Sequence, residues 1–416
     1  MKMKFIDIKY QPEKGKCFLG APSLVRLPDG TLLVSHYYCG EGAARSRQGK
    51  DNLTSIYRSE DEGQTWENIA HISDHWGAMF FVHNDAVYSL GRVHPFGSIV
   101  IRRSNDGGYS WTNPTDSRHG FLFQADPNGK DPKYHGESQL TVFNGRVYKS
   151  VENKTSDIQG FCDFKSGVLS ASLDSDLLNA DSWTLSNFVD MNPEQWIPDF
   201  DQYEDVSYGN HGWGWLEGAV VPSPDGRLFN ILRAHSPLRK WEGHGPSSED
   251  IGFNQERADA CENSDHAIML EISENGKRQT LDPKTALIDF PGGGIGRFII
   301  RRDPVTGLYL SLVNRSPDAA NKFHYWRNIL SLSCSRDLIH WQLAGKILED
   351  DSGLSMAQSR EMTGFQYPDW LISGDDIYYI CRTSYRGSHN AHDANRITFH
   401  VLKNFRDKLK NRSVLQ

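Results

Sequence analysis

The chain has 416 residues, 38% of them hydrophobic and 24% charged, which supplies a sizeable core and excludes a disordered polymer. A net charge of -8 excludes nucleic-acid and anionic-membrane partners, because either calls for a basic face. The length exceeds that of a usual single domain, but repeat-built all-β folds often run as long in one unit.

The N-terminal stretch MKMKFIDIKYQPEKGK carries lysines but no apolar run of signal-peptide type, and no segment approaches transmembrane length. As given, the chain reads as cytoplasmic, although a trimmed secretion signal leaves the same picture. One pattern then recurs: an apolar strand, a short turn of Asp, Asn or Gly, and a second apolar strand. The turns are Asp29-Gly30, Asn84-Asp85, Asn144-Gly145, Asp225-Gly226, Thr306-Gly307 and Gly374-Asp375. Such residues tolerate the positive φ of tight hairpins. The intervals leave room for a second hairpin each, visible in TSIYRSEDEGQTWENI, SIVIRRSNDGGYSWTNP and ILSLSCSRDLIHWQLAGKIL. Two hairpins make a four-stranded antiparallel blade. Six blades arranged radially make an all-β six-bladed β-propeller, a single domain over residues 1–416. KFIDIKY is spare strand material, placed to complete the last blade and close the ring.

The six cysteines, Cys17, Cys39, Cys162, Cys261, Cys334 and Cys381, lack C-x-x-C spacing, so neither zinc nor a disulfide framework is indicated. His389, His392 and Asp393 match no standard metal spacing and read as a hydrogen-bonded loop. FPGGGIG has no helix pattern behind it, so it reads as a flexible approach to the funnel and not as a dinucleotide fingerprint. No cofactor is implied. The 11 Trp and 16 Tyr suit either sugar stacking or the cores of many short strands. No oligomer interface is legible.

Ser59-x-Asp61-x-Gly63-x-Thr65-Trp66 gathers a hydroxyl, an acid and an aromatic ring as an active site does. It recurs as Ser104-x-Asp106-x-Gly108-x-Ser110-Trp111 and, shortened, as Ser335-x-Asp337 with Trp341. Repetition around a ring marks a turn lock, with side chains bonding turn amides. The two full copies resemble the Asp-box (BNR) repeats of the sialidase superfamily, where the motif sits on outer turns away from the active site.

Chemistry belongs at the central funnel, which the residues starting each first hairpin strand face. These are Gly20-Ala21-Pro22, Trp76-Gly77-Ala78, His135-Gly136-Glu137, Trp215-Leu216-Glu217, Gly296-Arg297 and Gln366-Tyr367. WLEGAVVPSPDGRLFNILR is similar to the sialidase segment that implies Glu217 as the tyrosine-activating glutamate and Arg233 as a substrate-binding arginine. YPDWLISGDDIYYIC is similar to the segment that opens with the nucleophile, implying Tyr367. The same resemblance implies Asp51 as acid/base and Arg297 as a further anion-binding arginine. Trp76, Trp215, Gln366 and His94 complete the set of candidate sugar contacts. A tyrosine is a poor nucleophile near its usual pKa of about 10, so a carboxylate must take its proton. Sialidases open their first blade with Arg-Ile-Pro, but here Gly20-Ala21-Pro22 stands there. A three-arginine clamp on a sugar carboxylate cannot form.

The expectation is therefore a sialidase-like glycoside hydrolase with a carbohydrate substrate, a terminal acidic or deoxy sugar, and sialic acid disfavoured. Histidines supply an alternative: His36 and His135 fit the His-dependent lyases and rhamnosidases of related propellers that act on uronate-containing glycans. A non-catalytic carbohydrate-binding propeller is the third reading.

Overall fold

The computed structural model describes residues 5–155, 163–196, 214–237, 262–263, 265–317 and 326–410. All six predicted hairpins form, and each supplies the inner strands of one antiparallel sheet. Asn84 and Asp85 both take positive φ, as do Asn144 and Gly145, the twist-matched turn that two-residue hairpins favour. Blade 1 runs Ser23–Arg26, Leu32–Cys39, Thr54–Ser59 and Glu67–Ile72, and blade 2 runs Trp76–His83, Ala86–Arg92, Ile99–Ser104 and Phe121–Phe123. The core strands of blade 3 are Leu140–Phe143, Arg146–Lys154, Phe164–Ser172 and Trp183–Leu185; those of blade 4 are Gly214–Pro222, Leu228–Pro237, His266–Ser273 and Arg278–Thr280. Blade 5 comprises Ile300–Arg302, Tyr309–Val313, Ile329–Ser335 and Trp341–Glu349. Blade 6 takes Gly364–Ser373, Asp376–Ser384 and Arg396–Leu402 from the C-terminal part of the chain and its outermost strand, Ile6–Tyr10, from the N-terminal part. That strand pairs Ile6 with Phe399 and Tyr10 with Arg396, so the ring closes as the sequence predicts.

Strand alternation puts apolar side chains on both faces of each blade, and the core is a ring of wedges between neighbouring blades. Leu33, Ile56, Phe80 and Val87 fill the wedge between blades 1 and 2. Val34, Tyr57, Ile380 and Phe399 fill the one between blades 6 and 1. Among the described residues the helices are short; the longest, Met356–Met362, starts at a Ser355/Gln358 capping box that the strand-centred reading passes over.

The repeated motif is a turn lock on outer strands. Ser59 Oγ donates to Asp61 and accepts from the Gly63 amide, Asp61 accepts from the Thr65 amide and hydroxyl, and Trp66 Nε1 donates to Gly63 O. Ser104, Asp106, Ser110 and Trp111 repeat every bond. In the shortened copy Leu338 stands in the glycine position at φ 72°, with Trp341 Nε1 bonded to its carbonyl. One predicted hairpin departs from expectation. After Trp111 the chain does not return as a strand; the outer strand of blade 2 comes only at Phe121–Phe123, because Pro114 has no N–H to continue the ladder. Cys17, Cys39, Cys334 and Cys381 are free thiols; Cys162 and Cys261 lie outside the described residues.

Candidate active site

The innermost strands of blades 2, 4 and 6 share one irregularity. The register slips between Trp76 and Met79, between Leu216 and Ala219, and between Gln366 and Asp369. These are β-bulges, which bend a strand and re-aim a side chain. Each contains a residue in the left-handed region: Gly77 at φ 59°, Glu217 at 56° and Tyr367 at 51°. Such a conformation is uncommon for a side chain larger than glycine. Opposite the residue before each bulge stands an arginine on the second strand: Arg92 across from Trp76, Arg233 from Leu216 and Arg382 from Gln366. All three arginines are buried.

The bulges of blades 4 and 6 bring Glu217 and Tyr367 together across 150 residues of sequence. The Tyr367 hydroxyl donates to Glu217 Oε1 at 2.8 Å. Arg233 Nη1 donates to Glu217 Oε2 at 3.0 Å and approaches the Tyr367 hydroxyl at 3.5 Å. Burial pushes Glu217 toward its neutral form, but Arg233, His135 and the tyrosine hydrogen bond outweigh it, and its pKa falls below the usual carboxylate value. Burial and the Glu217 charge raise that of Tyr367. The pair therefore rests as carboxylate and neutral phenol, the arrangement in which the carboxylate is a base for the phenol proton. FPGGGIG is no loose approach: Gly294 O and Ile295 O accept from Arg233 at 2.9 and 3.2 Å, so its carbonyls hold that arginine.

A second cluster repeats the chemistry. Tyr37 donates to Glu137 Oε2 at 3.0 Å, and Arg92 Nη2 donates to Glu137 Oε1 at 3.3 Å. Tyr37 and Tyr367 pack in one apolar group with Ala21 and Trp76. In the sequence Glu137 stands out only as part of a strand start, and Tyr37 not at all. Their signal is the odd-blade register Gly20-Ala21, Gly136-Glu137, Gly296-Arg297, which sets Glu137 level with Ala21 and Arg297. A Cβ on Gly20 falls 1.9 Å from the Tyr37 ring, so the place of the missing clamp arginine is filled by that ring.

The other expected residues separate. Arg297 is 2% exposed, and its terminal nitrogens donate to Glu137 O, Pro22 O, Tyr367 O and Met79 Sδ. It ties four blades to its own, and those donors are not available to a substrate anion. His36 points away from the funnel, stacked on Tyr57 at 5.5 Å and edge-on to Tyr38, and burial pulls its pKa down to about 4. Strand alternation gives the funnel its neighbour Tyr37 instead. Trp215 is wholly buried in the apolar wedge with Phe164, whose carbonyl accepts from its Nε1 at 2.7 Å. His94 bonds the carbonyl of Pro95 on a turn.

Gln366 is a brace, donating to the His392 carbonyl at 3.0 Å and accepting from Arg327. Trp76 stays at the site, its ring tilted against Tyr37 at 4.0 Å with Arg92 over it. His135 stays too, with Nδ1 3.2 Å from the buried Glu152. Asp51 sits on the loop between the second and third strands of blade 1, paired with Arg45 at 3.1 Å. His389 and His392 bond Asp393 as a loop, and no group of metal-ligating side chains occurs among the described residues.

No protein-family model matches the sequence, and no curated protein sequence matches it. Solved structures do. An α-L-arabinanase from Penicillium chrysogenum complexed with arabinobiose superposes with a TM-score of 0.53 at 14% identity, covering 97% of this chain and 99% of the other. An α-L-arabinofuranosidase from Fusarium graminearum with an iminosugar inhibitor gives 0.55 at 13% identity, covering 96% and 98%. The Trypanosoma rangeli sialidase in complex with sialic acid gives 0.52 at 15% identity, but this chain spans only 55% of it. The fold of this chain is thus the β-propeller of these arabinanase, arabinofuranosidase and sialidase structures.

Proposed function

We propose that this protein is a glycoside hydrolase that removes a terminal sugar at the propeller funnel. The observation that carries the reading is the 2.8 Å hydrogen bond between the buried Tyr367 hydroxyl and Glu217, with Arg233 against both. Tyr367 Oη attacks the anomeric carbon while its proton passes to Glu217. Asp51 protonates the departing glycosidic oxygen as the C–O bond breaks. Water deprotonated by Asp51 then releases the sugar, and the proton on Glu217 returns to the phenolate. Arg233 stabilises the negative charge shared by phenol and carboxylate, and Trp76 backs the Tyr37 ring beside it. The similar folds of glycosidases, crystallised with arabinobiose, an iminosugar and sialic acid, support the reaction class. Sialic acid is disfavoured, since the Tyr37 ring fills the place where its clamp would begin.

The test is turnover of a panel of aryl glycosides by wild type, Glu217→Gln and Tyr367→Phe, with melting curves as a folding control. Each variant should lose about 10²-fold or more in kcat. Full activity in either, folded, rejects the assignment. One observation favours a second reading, elimination on a uronate-containing glycan: His135, held by Glu152 at 3.2 Å, lines a cavity with Arg92 and offers its imidazole as the base beside a carboxylate. An unsaturated, ultraviolet-absorbing product decides for it. With turnover absent in both assays, measured sugar binding by the folded wild type decides for a non-catalytic sugar-binding funnel.

A further inference from the structure

The three equivalent arginines differ in one respect. Arg233 has Glu217 and Arg92 has Glu137 as an internal counterion. Arg382 is 4% exposed, yet no carboxylate lies within ion-pair distance of it among the described residues. Its Nη2 donates to the carbonyl of His392 at 2.6 Å, and its Nε has no partner. Its guanidinium stands 5.4 Å from the Tyr367 ring centre, with Tyr37, Cys39 and Glu137 also near it and Asp393 reached only through the His392 ring, which places it at the funnel beside the proposed nucleophile.

The register of the blades says where its counterion is missing. Arg92, on blade 2, pairs with Glu137 at the start of blade 3. Arg382, on blade 6, has Ala21 in the corresponding place at the start of blade 1, packed with Tyr37 and Tyr367. An alanine cannot neutralise a guanidinium, and a buried cation without a partner is costly unless something supplies the charge. We propose that the missing charge comes from the substrate: Arg382, over Ala21, seats an anionic substituent of the sugar, a carboxylate or a sulfate, next to Tyr367. The proposal rests on the glycoside hydrolase reading for its location and names the substrate class, a charged sugar held from blade 6 instead of blade 1.

The experiment is calorimetric binding of D-glucuronate, D-galacturonate and glucose 6-sulfate to the wild-type protein, against D-glucose and D-galactose at the same ionic strength. At least one charged sugar should bind tenfold or more tighter than its uncharged counterpart, and the affinity should fall as salt rises. Uronate and sulfate arms separate the two anions. Arg382→Met should remove about ten- to hundredfold of that affinity. Ala21→Glu, which restores an internal counterion, should abolish the preference with Arg382 still present. Equal binding of charged and uncharged sugars by wild type, including no binding of either, overturns the proposal; so does a charged-sugar preference that survives folded Arg382→Met. Turnover of neutral glycosides that requires Glu217 keeps the hydrolase and removes the anion seat, whereas charged-sugar binding without any turnover does the reverse.

Discussion

Replacing Arg297 with methionine separates a structural role from a substrate-binding one. The guanidinium donates to Glu137 O at 3.0 Å, Pro22 O at 3.1 Å and Tyr367 O at 2.9 Å, with Met79 Sδ as its fourth acceptor. Arg297→Met strands three buried carbonyls, each costing about 1–3 kcal/mol. The loss is lessened because the variant no longer buries a charge that lacks a carboxylate partner among the described residues. The net expectation is roughly 3–5 kcal/mol of destabilisation. With an unfolding entropy of about 2.1 cal/mol/K per residue, that is a drop of about 3–6 °C in Tm for this chain. Because two of the carbonyls belong to Glu137 and Tyr367 themselves, kcat should fall with stability. Differential scanning calorimetry with parallel kinetics checks both. A variant that melts with wild type but shows a raised KM for a charged substrate refutes the reasoning and returns Arg297 to the substrate.

Gly20→Arg should not restore a sialic acid clamp: its Cβ falls 1.9 Å from the Tyr37 ring, so the variant melts lower, and Tyr37→Gly added to it recovers part of the loss. Burial holds Lys149 down to about 7. From about pH 7 to 10 the unfolded chain binds a proton that the folded chain lacks, so stability relative to Lys149→Met rises with pH, by at most about 1.4 kcal/mol per unit. Urea melts of the two proteins across that range check the slope. Hydrogen bonds from Thr65 hold Asp61 down to about 2. Its stabilising contribution is complete above about pH 4 and is lost as pH falls through 2; Asp61→Ala should erase that loss and leave kcat unchanged. The acid limb of the pH–rate profile should lie below the ordinary glutamate range, because Glu217 stays ionised there; a limb near pH 6 contradicts its role as base.

The fold was legible because hairpin turns announce themselves locally: Asn144-Gly145 needs only its own φ angles to predict a turn, and six such turns at spaced intervals dictate a ring. Glu217 and Tyr367 were legible through sequence resemblance, and the structure supplies what the resemblance cannot, the bulges that join them. Glu137 and Arg382 were not legible, because their meaning depends on which residue a neighbouring blade presents. Arg382 reads as one more arginine in YYICRTSYRG until the blade register sets Ala21, 361 positions earlier in the chain, level with Glu137. His36 misled for the complementary reason. It looks like a funnel histidine, but a period of two sends it to the Tyr57 side and gives the funnel to Tyr37.

The three bulges also argue for function by contrast. Blade 2 makes the same bend with Gly77 at φ 59°, where a Cβ would lie 2.5 Å from Arg92 Nη2, so the architecture requires the bend and not a side chain on it. At Glu217 and Tyr367 the same backbone carries side chains at a cost of about 1–2 kcal/mol each in the left-handed region. Their mutual hydrogen bond and Arg233 return part of that cost, but a glycine at either place would avoid it altogether. A strained glutamate facing a strained tyrosine, each buried and bonded to the same arginine, fits the proposed proton transfer better than it fits a merely structural bulge.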